Sequence, residues 1–244
     1  PKTPKPRDAK FYLWLIGSVE YFGWLLNIQQ RSKFQIKFDQ TIFVISEKYI
    51  PERSKKLFYN QFKNIVKNIE KNKYFAATEI LLSNFSLSNF ENQSDFHINK
   101  SRFILVELNK FQSIKQSTET LLILINNGSI PIIVHPERNP TLQNIENMNN
   151  LKSLGVLFQL SLGSMISFYP EMIGNKAREF LSKGYYDFIA TDFQNHQKLN
   201  SEQINITLNE LNSLIGNNKL NQLINTNPKL VLDENLTNDY EIKS

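Results

Sequence analysis

The segment Ile132–Pro140 carries an imidazole, a carboxylate and a guanidinium in adjacent places, directly after an apolar strand pattern. His135 ends the apolar run, as an active-site histidine does when a sheet strand delivers it. Pro136 turns the chain, and Glu137 and Arg138 follow. Arg138 is of the residue type that grips a phosphate through paired N–H groups and needs no metal to do so. Two carboxylates end other apolar runs, Glu79 after Phe75–Thr78 and Asp192 after Asp187–Thr191. A carboxylate, an imidazole and a second carboxylate form the ligand set of a hard or borderline divalent metal. Each also has an ordinary alternative. An acidic residue just past a strand, Asp192 above all, often caps the next helix, and a histidine before proline is often structural.

The composition limits what such a site can be. The chain has 244 residues and three histidines, His97, His135 and His196, with no cysteine. A histidine-rich multimetal centre is therefore excluded. So are disulfides, thiolate zinc sites and a cysteine phosphatase nucleophile. The net charge of +5 is a mild excess, with a local source in Lys2, Lys5, Arg7 and Lys10. Residues 1–9 read as a flexible basic arm. No aromatic-interleaved basic motif appears, so nucleic acid is not an expected partner. No apolar run reaches the roughly 18 residues of a transmembrane helix. A cytoplasmic location is expected, with membrane association only through a partner.

The elements that must position these residues follow from the apolar periodicity. Strand-length runs occur at Phe11–Ile16, Thr41–Ile45, Phe75–Ile80, Arg102–Leu108, Ile130–His135, Val156–Leu160 and Asp187–Thr191. Amphipathic stretches lie between them: Arg53–Asn72, Gln116–Asn127, Met148–Leu154 and Met172–Lys183, the last three each followed by a glycine that suits a helix C-cap. Ile204–Leu214 and a stretch around Lys219–Ile224 close the pattern. Strand, helix, glycine turn and strand is the unit of a parallel sheet. Seven such strands predict an α/β fold of (β/α)7 barrel type, with parallel strands inside and helices outside. One domain is expected over 10–235, with a tail at 236–244. Phe85–Lys100 reads as a polar loop over one barrel end, with His97 exposed to solvent. In such barrels function gathers at the carboxyl ends of the strands, where Glu79, His135 and Asp192 end the third, fifth and seventh.

Ordered motifs across the chain extend this reading. Ile130–Arg138 resembles the "PILAHPER" strand of the PHP-type (polymerase and histidinol phosphatase) bacterial protein-tyrosine phosphatases of capsular and exopolysaccharide biosynthesis. Leu151–Leu160 is similar to that family's "LxxxGxxxQ", Lys183–Asp192 to "KGxxDFxxTD" and Asn227–Leu232 to "NPxxLL". Phe75–Glu79 and Phe103–Glu107 resemble "AAxEY" and "LLIEF". The resemblance implies a distorted seven-stranded PHP barrel and a metal-dependent phosphatase, with Glu79, His135 and Asp192 as retained metal ligands. It also implies loss. The family's D-x-H-x-H on the first strand becomes Lys10, Tyr12 and Trp14. Its histidine after the second strand becomes Glu47, and "TDxHH" becomes Thr191–Asn195, with Gln194 in a ligand place. His196 is either a shifted replacement ligand or a surface histidine.

Alternation puts residues 10, 12 and 14 on one side of a strand. If that side is the interior, Tyr12 and Trp14 fill the volume of lost ions, and Lys10 serves as counter-charge to Glu79 and Asp192. The alternative is a solvated Lys10 in the basic arm. Three functions compete on this basis. The first is a catalytically impaired binding or regulatory module for a protein partner or a phosphorylated or acidic ligand, contacted by Arg138, with no cofactor. The second is a residual phosphatase with one divalent metal (Mn, Fe or Zn) on Glu79, His135 and Asp192. The third is a scaffold subunit, which exposed aromatics among Tyr21, Phe22 and Trp24 would favour.

Overall fold

The computed structural model describes residues 42–48, 73–82, 96–98, 101–166, 169–192 and 201–232. Six strands appear among them, in sequence order and all parallel: β1 (Ile42–Lys48), β2 (Lys73–Leu82), β3 (Phe103–Leu108), β4 (Ile130–Val134), β5 (Leu157–Ser161) and β6 (Phe188–Ala190). Six of the seven expected strands are thus present in the expected order. The first, Phe11–Ile16, lies outside the described residues, as does any barrel closure it makes. The expected helix Arg53–Asn72, the arm at 1–9 and the tail at 236–244 lie outside them too.

Between the strands run α1 (Ile114–Asn126), α2 (Ile145–Ser153), the single turn α3 (Leu162–Met165) and α4 (Glu171–Ser182). After β6 come α5 (Ser201–Asn221), a π-helical turn at Gln222–Thr226 and α6 (Asn227–Leu232). The starts fall earlier than the apolar stripes suggest because polar caps set them. Ser113 and Gln116 form a reciprocal capping box ahead of α1. The Asn144 side chain caps α2. Gly128 takes φ +86° where α1 must end and β4 begin, a conformation that costs glycine nothing. Gly216 (φ 76°, ψ 159°) breaks α5 between the two stretches that the periodicity separates.

The sheet is apolar on both faces, as a parallel sheet covered on both sides requires. On one face Ile80, Leu82, Ile104, Val106, Ile133, Phe158, Leu160 and Ile189 pack under helical Leu121, Leu151, Ala177 and Phe180. On the other, Phe103, Leu105, Ile132, Val134, Phe188 and Ala190 form a second cluster with Ile98 and Val231. Side chains alternate along a strand, so Glu79, Glu107 and Gln159 share this second, inner face.

One expectation is corrected at the opposite end of the sheet. His97 is not solvent-exposed. It is half-buried, makes an antiparallel bridge to Ile104, and its Nε2 lies 2.9 Å from the Ser129 hydroxyl. Its neighbours Phe96 and Ile98 are fully buried, and Ile98 donates its N–H to the Phe103 carbonyl. The apolar pair around His97 pulls the end of this polar segment onto β3.

Candidate active site

A parallel sheet brings the carboxyl ends of its strands to one edge, where the polar inner-face residues meet. Glu79 near the end of β2, Glu107 near the end of β3 and His135 just after β4 converge there. One donor atom from each lies within 4.8 Å of the others. The Glu79 carboxylate stands 3.9 Å from His135 Nε2, and both side chains are buried. Glu107 was not among the expected ligands. Its signal is parity: it falls two residues after Leu105 and four after Phe103, both inner-face residues. Leu108 ends the strand instead and draws attention away from it.

His135 and Asp192 share an unusual backbone. Both are left-handed, at φ 37° and φ 47°, and they are the only non-glycine residues with positive φ among those described. That conformation costs a residue with a Cβ roughly 1–2 kcal/mol. The His135 N–H still donates to the Gln159 carbonyl at 2.9 Å, so the strand pairing continues for one residue while the chain bends. The bend is held from outside. The Asn139 amide donates to the Leu108 carbonyl at 2.9 Å, and its Oδ1 accepts from the N–H and hydroxyl of Thr141. The turn after His135 is thereby tied to the end of β3, next to Glu107.

Asp192 is placed differently from the expected metal set. Its carboxylate meets Arg138 Nη1 at 2.7 Å, with Asp192 almost fully buried. It is not one of the three residues whose donors converge. Arg138 also donates from Nε to the Ser164 hydroxyl at 2.9 Å and from Nη2 to the Ser161 hydroxyl. Its guanidinium stacks 4.0 Å from the centre of the Tyr169 ring. Arg138 is therefore fixed on several sides, yet two of its five N–H bonds are left over from these three contacts. Among the described residues the counter-charge to Asp192 is Arg138, from within the motif; Lys10, which one of its two readings gave that role, lies outside them.

Of the remaining expected positions, Glu47 stands in the backbone of β1, in register with Thr78. Lys10, Tyr12, Trp14, Gln194 and His196 lie outside the described residues, as do Tyr21, Phe22 and Trp24.

Two carboxylates and one imidazole, largely buried and converging, suit a single divalent cation with water in its other positions. His97 is at the far end of the sheet on Ser129, which leaves His135 as the only described histidine at this edge.

Comparisons with known proteins bear on the family and the fold. The family model for capsular polysaccharide synthesis, CpsB/CapC, matches residues 44–233. A Staphylococcus aureus protein provisionally named tyrosine-protein phosphatase CapC is 27% identical over 176 residues, covering 68% of this chain and 69% of that protein. Among solved structures, one of YwqE from Bacillus subtilis and CpsB from Streptococcus pneumoniae, described as unique metal-dependent tyrosine phosphatases, is similar with a TM-score of 0.66 at 18% identity. It covers 88% of this chain and 85% of that one. A chain of archaeal ribonuclease P, solved with mature tRNA, shares the fold at a TM-score of 0.59 and 17% identity, covering 89% of each chain. No helix among the described residues is long and apolar enough to cross a membrane.

Proposed function

The chain belongs to the CpsB/CapC family of capsular polysaccharide synthesis, and on that premise we propose that it is a phosphate-recognising module of the process with reduced hydrolytic chemistry. The observation that carries this reading is the setting of Arg138. Two serine hydroxyls, the Asp192 carboxylate and the Tyr169 ring hold its guanidinium. A cation so oriented binds a phosphate with little loss of side-chain freedom. The ligand class is a phosphotyrosyl group or another phosphomonoester on a partner, in line with the tyrosine phosphatases among the relatives. The impairment rests on the histidine count. Of the three histidines in the chain, His135 alone is described at this edge.

Calorimetric titration of the metal-free protein with O-phosphotyrosine and with inorganic phosphate tests this reading. Binding of both, lost in Arg138→Ala, is the expected result. A wild-type protein that takes up neither sinks it.

The Glu79, Glu107 and His135 group favours a second reading, a residual phosphatase with one Mn, Fe or Zn ion. A bound divalent ion there supplies an activated water and charge neutralisation at the phosphoryl group. The chain's own residues would divide the remaining work. Glu79, Glu107 and His135 hold the ion, and Arg138 orients the phosphate. Elemental analysis after incubation with each metal separates the readings. One equivalent, with phosphotyrosine hydrolysis that is lost in Glu107→Ala, supports the second. A folded protein with no metal leaves the binding module alone.

A further inference from the structure

Glu137 is fully buried, and none of the chemistry above uses it. Two donors converge on its carboxylate. The Tyr186 hydroxyl donates at 3.1 Å and the Ser161 backbone N–H at 3.3 Å. Ser161 is one of the two serines that hold Arg138: its Oγ accepts from Nη2, as the Ser164 Oγ accepts from Nε.

Arginine has no acceptor, so the Ser161 hydroxyl meets Arg138 with a lone pair. Through the Ser161 backbone N–H, Glu137 fixes the place of Ser161 and so of that lone pair. Tyr186 fixes Glu137 in turn. It stands 49 positions further along the chain, in the loop before β6. Its buried ring packs edge-on against Phe180, with centroids 6.3 Å apart.

We propose that Glu137, oriented by Tyr186, is a positioning residue that sets the phosphate affinity of Arg138 through Ser161. The inference rests on the phosphate-binding reading of Arg138. It assigns Tyr186, a core residue of the helical layer, an effect on the ligand that it never touches.

The test uses the full chain without metal and inorganic phosphate as the probe. Calorimetry gives the phosphate affinity of the wild type, Tyr186→Phe, Glu137→Gln, Ser161→Ala and the Tyr186→Phe/Ser161→Ala double variant. Manganese affinity and urea midpoints are measured on the same proteins. Tyr186→Phe keeps the ring and its packing, so it folds even if Glu137→Gln does not.

Each single variant is expected to weaken phosphate binding by about fivefold, the scale of one altered hydrogen bond near a charge. The double variant should lose no more than the worse single one, because both act on one chain of bonds. Manganese affinity should not move. A purely structural role would lower the urea midpoint and spare the phosphate affinity, which overturns the proposal. Additive losses in the double variant, or equal losses of phosphate and manganese, overturn it too. If Tyr186→Phe binds phosphate normally while Arg138→Ala does not, the inference falls and the binding reading stands. If Arg138→Ala binds phosphate as well as the wild type, both fall.

Discussion

Asp192 closes on Arg138 at 2.7 Å, across 54 positions of sequence, and neutralises a cation held at this edge. The pair divides the polar edge into two parts. Glu79, Glu107 and His135 form a group suited to a cation, and Arg138 with its serines forms a group suited to an anion.

Asp192→Asn should therefore weaken the anion side and spare the cation side. It leaves a largely buried guanidinium without its counter-charge, a loss of about 3 kcal/mol. Urea denaturation reads the stability, and elemental analysis reads metal uptake. A fall in metal stoichiometry without loss of stability would instead make Asp192 a ligand.

Glu107→Ala should do the reverse. Removing one of three converging donors is expected to weaken manganese or zinc binding by at least about tenfold, since even indirect supports of a metal ligand cost that much. Phosphate binding by the metal-free protein should be unchanged. Competition with a fluorescent chelator gives the affinity, and unchanged manganese and zinc affinities exclude Glu107 from the site.

His97 predicts a pH dependence far from this edge. Burial, with the charge of Arg102 second, holds its pKa below the usual 6.5. The folded protein thus keeps His97 neutral where the unfolded chain already takes up a proton. Stability should fall as pH drops through about 6.5, and should level off below the lowered folded value. Replacing His97 with Gln should flatten that part of the curve. An equal slope in both proteins would assign the effect to other groups.

Phe180 links α4 to the loop that carries Tyr186. It is fully buried and meets Tyr185 and Tyr186 edge-on. Phe180→Ala should cost about 3–5 kcal/mol as a cavity in the core. A loss below about 1 kcal/mol in thermal or urea unfolding would mean that the helical layer collapses to fill the gap.

The strands were legible because each is an apolar run of strand length bounded by turn residues. The run Ile130–Val134 is buried at every position, and nothing but an inner strand suits it. Helix starts were less legible. At α1 the cap is Ser113, three residues before the predicted start, and polar caps lie outside an apolar stripe by nature. His97 was misjudged for a related reason: a polar neighbourhood in sequence hid the buried Phe96 and Ile98 beside it. Glu79, His135, Arg138 and Asp192 lie at the carboxyl edge of the sheet, where strand ends read from hydrophobicity put them. Their partners, Glu107 among them, cannot be read that way.

Sequence alone determined the order of the parallel strands, the edge at which chemistry can gather, and the upper limit of three histidines. Folding cannot change a composition, and apolar periodicity survives without knowledge of what packs on what. Tertiary structure decided who meets whom: Asp192 with Arg138, Glu107 with Glu79 and His135, and Tyr186 with Glu137. Those pairings depend on register and on two left-handed residues, His135 and Asp192. A shift of one residue or one backbone torsion there would turn the side chains elsewhere, and no local pattern records it.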